Sequence, residues 1–286
     1  MDLLRYTFFQ HALLGSLLAS IACGIIGTYI VTRRLVFISG GITHASFGGI
    51  GLGLFAGISP ILSAAVFSVL SAFGVEWLSR RKDMREDSAI AVFWTLGMAL
   101  GIMFSFLSPG FAPDLSAYLF GNILTINQAD LWMLGILALI LTGFFYLFIR
   151  PIVYIAFDRE FARSQKIPVE IFEYLLMMFI ALTIVACLRM VGIVLAISLL
   201  TIPQMTANLF TYSFKKIIWL SIGIGFWAVW AVCLFLPLES PFGRFDYILL
   251  YPDLCRLQRS ERVVARNSHN NRIVYGNQDS ITGKYP

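Results

Sequence analysis

The stretch Arg33 to Gly57, RRLVFISGGITHASFGGIGLGLFAG, decides how the whole chain is read. A doublet of arginines precedes an apolar run, one histidine, His44, sits inside that run, and small residues recur at every fourth position: Gly41, Ala45, Gly49, Gly53 and Gly57. Positions i and i+4 stack along one side of an α-helix, so this spacing predicts a smooth face that another helix can approach closely. His44 falls beside that row, in line with Gly48 and Gly51, and is expected to project next to the seam rather than into open lipid. A polar side chain at membrane depth is costly and usually has a purpose. These residues alone leave two readings of His44 open: a residue of a transport path, or a hydrogen-bond donor to a neighbouring helix.

Composition carries the same message along the whole chain. Of 286 residues, 58% are hydrophobic and only 13% charged, and the mean hydropathy is +0.81. A soluble core of this size needs far less apolar content. Apolar runs fall near residues 11–31, 42–57, 60–78, 88–107, 129–149, 171–187, 190–212 and 217–237. Most reach the roughly 20 residues that cross a bilayer as a helix. The expected fold is an all-α, multi-pass integral membrane protein, a polytopic bundle of about eight transmembrane helices. The second run is the shortest and richest in glycine, which suggests a tilted or partly re-entrant segment. Strand alternation is absent, which argues against a β-barrel.

The basic residues orient the bundle. Apart from Arg5 and Arg189, every Lys and Arg before residue 240 lies in one of four clusters: Arg33/Arg34, Arg80 to Arg85, Arg150 to Lys166, and Lys215/Lys216. The clusters follow every second apolar run, so the positive-inside rule puts all four in the cytoplasm. The net charge of +5 is therefore mostly topology, and no nucleic-acid partner is expected. Cys23, Cys187, Cys233 and Cys255 show no CxxC spacing; neither a disulfide framework nor a zinc site follows.

Three connections differ in character. Asp158-Arg159-Glu160-Phe161-Ala162-Arg163-Ser164-Gln165-Lys166 mixes charges with apolar residues and stops before Pro168, the pattern of a short amphipathic helix. Such a helix at the membrane face suits either a partner's groove or a solvated connector. Arg80 to Asp87 reads as an ordinary solvated turn. The connection from Leu107 to Asp130 is long and broken by Pro109 and Pro113, a length that suits docking or gating. Farther on, Pro203 predicts a kink. Gln204 and Asn208 lie one helical turn apart and are expected to face the protein interior, for contact with cargo or for bonds between helices.

Taken in order, Arg33-Arg34 with Thr43-His44-Ala45-Ser46, Tyr118 to Leu124, Phe157-Asp158 to Ala162, and Arg189-Met190-Val191-Gly192 to Ala207 resemble the membrane subunits of bacterial ABC importers for zinc, manganese and iron. The resemblance runs from about residue 10 to residue 237. It implies a type II importer fold in the bacterial inner membrane and a homodimer that receives a divalent metal ion from an extracytoplasmic binding protein. It also implies cytoplasmic ATPase subunits that bind the ATP. This chain has no GxxxxGK[ST] phosphate loop, in keeping with a permease that is not itself an enzyme and holds no stable cofactor. The resemblance further implies that His44 lines the path and that Asp158, Arg159, Glu160, Phe161 and Ala162 contact the ATPase; Gln204 and Asn208 are expected on the path from their own spacing. Family members commonly carry an aspartate four residues before the histidine, which puts a carboxylate and an imidazole on one helix face. This chain has Gly40 there.

The end of the chain departs from that family. After Leu238 a Pro-Ser-Gly turn and a last apolar helix are expected, but SPFGRFDYILLY and a polar, arginine-rich tail follow. One permitted set of codons for Ser240 to Tyr251, read one base later, spells Val-Pro-Ser-Gly-Ala-Ser-Ile-Ile-Phe-Phe-Ser. The expected organisation is thus a permease domain over residues 1–239 and an out-of-frame tail over 240–286 that does not pack. Two other functions compete. A secondary or facilitative transporter needs no ATPase but is expected to embed carboxylates, and the apolar runs have almost none, Glu76 and Glu173 lying close to the cytoplasmic ends. An intramembrane hydrolase needs a nucleophile and a base on facing helices, and no GxSx turn accompanies His44.

Overall fold

A chain crossing a bilayer must satisfy its backbone N–H and C=O groups internally, and this one does so with helices. In the computed structural model, which describes residues 7–80, 84–108 and 127–235, no strand occurs among the described residues. Eight helices follow one another there: α1 (Thr7–Thr32), α2 (Val36–Ala56), α3 (Pro60–Ser79), α4 (Glu86–Leu107), α5 (Gln128–Phe157), α6 (Arg159–Ser164), α7 (Val169–Phe210) and α8 (Phe214–Phe235). The Tyr118 to Leu124 stretch and the tail from residue 240 lie outside the described residues.

Among the described residues, seven segments are long and apolar enough to cross a membrane: Gln10–Thr32, Pro60–Ser79, Glu86–Leu107, Gln128–Phe157, Val169–Leu188, Gly192–Phe210 and Phe214–Ala231. The eighth apolar run, α2, is not among them, although its 21 residues give about 31 Å of helix. Its glycines and His44 lower its hydropathy, and its surroundings make that tolerable. α2 is packed between α3 and α4 with α7 behind it, so most of its surface meets protein rather than lipid. It starts at Val36, well before the apolar run does, and is helical throughout rather than short. Gly57 ends it in the left-handed region (φ 68), where Ile58 N–H reaches back to the Gly53 carbonyl at 2.9 Å.

The row of small residues serves two neighbours, not one. Steps of four residues advance about 40° around a helix of 3.6 residues per turn, so the row winds from one neighbour to the next. Gly41 and Ala45 face α4 at Ile90 and Gly97, whereas Gly49 and Gly53 face α3 at Ala64 and Pro60. On the row shared with His44, Gly51 faces α4 at Gly101, and Gly48 lies between Phe67 of α3 and the Gly97 carbonyl of α4. A Cβ at Gly51 would lie 2.9 Å from Gly101 Cα, one at Gly97 2.5 Å from Ala45 Cα, and one at Gly101 2.6 Å from the Phe47 carbonyl oxygen. The two backbones therefore touch directly.

Two helices are interrupted. In α5, Pro151 lacks the N–H that the Leu147 carbonyl would accept, and the backbone leaves helical values at Phe148 (φ −110, ψ 24). The helix nevertheless continues past Arg150, expected to begin a connection, as far as Phe157. In α7 the break falls at Gly192 (φ 75, ψ 177) and not at Pro203, where the kink was expected. Cys187 Sγ lies 3.4 Å from Cys23 Sγ, while Gln204 Nε2 donates to the Cys23 carbonyl at 2.8 Å. A straight helix would hold residues 187 and 204 about 25 Å apart, so the chain bends sharply at Gly192. Pro203 is absorbed because Gln204 Nε2 also donates, at 3.1 Å, to the Leu199 carbonyl, the one that proline leaves without a partner.

Three substitutions test this packing. Gly51→Ala drives a methyl into the Gly101 backbone and is expected to destabilise the protein by about 1–3 kcal/mol; Gly40→Ala, whose Cβ would make only ordinary contact with Trp94 at 3.7 Å, is expected to leave the melting temperature in detergent unchanged. Gly192→Ala places a side chain in a region that L-residues avoid and is expected to cost about 1–3 kcal/mol in the same melt; an unaltered transition would show that the bend at Gly192 is not needed.

Candidate functional site

The close approach of α2 and α4 places His44. Its imidazole is half-buried and lies flat on the Trp94 indole of α4, with ring centroids 4.5 Å apart and planes 7° from parallel. Phe47 lies farther along the same helix, at 6.4 Å. Nδ1 of His44 is buried and has no hydrogen-bond partner among the described residues; the ring is held by stacking. Gly40, one turn before, faces the same indole and leaves room for a Cβ. No group of three or more His, Cys, Asp or Glu that could hold a metal ion occurs among the described residues. His44 thus stands without the carboxylate that would complete a pair.

Gln204 and Asn208 do not join His44 in any described contact. Gln204 is fully buried, and its amide nitrogen ties α7 to α1 and repairs the backbone at Pro203. Only its Oε1 remains unpartnered. Asn208 is half-buried one turn later.

The amphipathic segment forms α6, six residues long. Asp158 starts it by accepting from the N–H groups of Glu160 (2.9 Å) and Phe161 (3.0 Å), which would otherwise be orphaned. Ala162 is the buried anchor, packed with Ile155 and Val169. Phe161 points outward and meets only the edge of Tyr154, with centroids 5.3 Å apart. Glu160 and Arg163 pair on the exposed face at 3.0 Å. The helix is therefore pinned on one side and offers an aromatic ring and charges on the other.

The largest departure from expectation lies behind this helix. Arg80 and Glu86, expected in a solvated turn, belong to a partly buried ion network, whereas Arg85 and Asp87 lie on the surface as that reading has it; residues 81–83 lie outside the described residues. Glu173, with 4% of its side chain exposed, accepts from Arg33 Nη1 (3.1 Å) and Arg80 Nη2 (3.1 Å) and forms an ion pair with Arg159 Nε at 2.7 Å. Arg159 Nη2 also reaches Glu86 at 2.8 Å, and Arg80 Nε reaches Glu76 at 3.0 Å. Burial opposes the charge on Arg33, but Tyr29, Glu173 and Glu86 more than offset it and hold the guanidinium above its ordinary value. Arg80 is held up in the same way, against burial, chiefly by Glu76. The sequence carried one local signal of this network, the i, i+4 spacing of Glu76 and Arg80. Nothing local linked Arg33, Glu86, Arg159 and Glu173, or Trp94 to His44.

Comparison with known proteins accounts for this architecture. A model of the ABC 3 transport family matches residues 5–235. The membrane protein slr2045 of Synechocystis sp. is 40% identical over 222 residues, covering 78% of this chain and 79% of that one. The manganese transport system membrane protein MntC of Halalkalibacterium halodurans is 35% identical over 213 residues, covering 73% and 72%. Among solved structures, PsaBC from Streptococcus pneumoniae in complex with Fab superposes with a TM-score of 0.74 at 26% identity, over 87% of this chain and 92% of that one. An inward-facing ABC transporter of putative metal-chelate type shares the fold, with a TM-score of 0.68 at 16% identity. The chain belongs to the ABC 3 transport family, as the membrane permease of an ABC-type metal transporter.

Proposed function

We propose that the chain imports a divalent transition-metal ion across the bacterial inner membrane. It works as a homodimer, accepts the ion from an extracytoplasmic binding protein, and is driven by two copies of a separate cytoplasmic ATPase. The observation that carries this reading is α6: a capped six-residue helix outside the membrane spans, anchored by Ala162 and presenting Phe161 outward, in a permease whose sequence has no phosphate loop of its own. That is the shape of a docking element for an ATPase carried on another polypeptide. Asp158 to Ala162 form this contact. A second copy fits the architecture because α4 leaves Val92, Leu96, Ile102, Met103 and Phe106 uncovered. Manganese is the first ion to test, since MntC relatives from Halalkalibacterium halodurans and Listeria monocytogenes carry that metal in their names.

His44 is the path residue best placed to touch the ion, through the nitrogen that stacking leaves free. Without a carboxylate at position 40 it holds the ion weakly, which suits a conduit that must release its cargo. Gln204 is fully buried, with only Oε1 of its side chain unpartnered, and Asn208 is half-buried.

Uptake of radioactive manganese in a metal-starved strain is expected to require the ATPase and to fall at least tenfold in His44→Ala. Uptake that continues with an ATPase-dead partner would make the chain a facilitative transporter instead. Gly40→Asp is expected to fold normally, given the open space beside Trp94, and to retain about one metal ion per chain through purification, read by elemental analysis. Adding His44→Ala should abolish that retention, and retention surviving the second change would remove His44 from the path.

A further inference from the structure

Five helices that end or begin at the basic end of the bundle meet the ion network. Arg33 follows α1, Glu76 and Arg80 close α3, Glu86 opens α4, Arg159 opens α6, and Glu173 lies one turn into α7. Glu170 adds an exposed partner for Arg80 at 3.2 Å. Breaking a buried ion pair is expensive when it strands a charge, and the wiring here avoids that. If Arg159 leaves, Glu173 keeps Arg33 and Arg80, and Glu86 keeps Arg33 at 3.7 Å. The short helix α6 is therefore held firmly yet can shift without stranding a carboxylate.

The other half of the arrangement is α4. Its backbone shows no interruption from Glu86 to Leu107. Trp94 lies about 12 Å along the axis from Glu86, and its indole carries the His44 ring. A push at Glu86 moves a continuous rod that meets α2 first at Ile90, against Gly41, and then at Trp94, against His44. The direct backbone contacts of Gly97 and Gly101 with α2 leave little slack between the two helices.

We propose that Arg159 and Glu86, kept in register by Glu173, form a strut through which movement of α6 reaches the Trp94–His44 stack, so that Glu86 and Glu173 are positioning residues for transport. This rests on the reading of α6 as the segment that contacts the ATPase. Glu86 does not touch cargo; it acts through Arg159 on one side and Trp94 on the other.

The test uses the permease reconstituted in nanodiscs and in proteoliposomes with its ATPase and binding protein. Hydrogen exchange on the permease alone reads the docking of α6 and needs no transport. In Glu86→Gln, which keeps the shape and loses the charge, amides of α6 are expected to exchange at least tenfold faster, while those of α3 stay as in the wild type. Manganese moved per ATP hydrolysed is expected to fall at least fivefold with the ATPase still co-purifying, and Glu86→Asp, which keeps the charge, to recover to within twofold of wild type. Should Glu86→Gln lose its melting transition, Arg159→Lys, which keeps the charge but loses the fork that spans two carboxylates, is read in the same way. Unchanged exchange of α6 overturns the strut, and so does faster exchange with an unchanged metal-to-ATP ratio. A wild-type complex that hydrolyses ATP without moving any metal instead overturns the importer reading and takes the coupling with it; the exchange result then reports only how α6 is held.

Discussion

The direct backbone contact between α2 and α4 is the constraint on which the rest of the site depends. In a bilayer no hydrophobic force drives helices together, so close van der Waals packing carries much of the association. Gly51 against Gly101, and Gly97 against Ala45, supply that packing where any larger residue would collide with backbone. The contact fixes the height and rotation of α2 relative to α4, and with them the overlap of the His44 and Trp94 rings. It also lets α2 carry a histidine and many glycines at membrane depth, since its neighbours and not lipid cover it. The glycines that make this contact also lower the hydropathy of α2.

Charge is confined as strictly as polarity. Among the described residues, the buried carboxylates Glu76, Asp130 and Glu173 sit within a turn or two of helix ends; Glu76 and Glu173 each pair with an arginine at 3.0–3.1 Å or closer, and Asp130 accepts from the Asn127 N–H. A mixed network of this kind contributes modestly to net stability, because desolvation offsets most of the attraction. Its value lies in geometry: arginine forks hold directions as well as distances, and those directions tie four membrane helices to the small helix at the membrane face.

The bend in α7 shows how a locally unfavourable residue is accommodated by a distant one. Pro203 removes a hydrogen bond from the helix, and the side chain beside it replaces that bond while reaching across to α1. The arms of α7 can both lie against Cys23 only because Gly192 adopts a backbone conformation closed to other residues. Gln204 is thus first a structural residue, and any part it takes in transport falls to its remaining oxygen.

The sequence by itself determined the class of molecule, the number of apolar segments, the small-residue row and the short helix after Phe157. Each is a local property: apolar length, helical spacing, and a capping aspartate followed by mixed charges can be read within one or two turns. The order of motifs around Arg33, His44, Asp158 and Arg189 sufficed to point to the family that the comparisons bear out. Only the tertiary structure decided which neighbours the glycine row serves, because a row of i+4 steps winds around its helix and the partners are set by packing. Only the fold could show Trp94 under His44, the break at Gly192 instead of Pro203, and Arg80 and Glu86 drawn out of a turn into a network. Those features join residues far apart in the chain, and the energy that joins them, desolvation set against pairing and backbone set against backbone, does not exist until the helices are side by side.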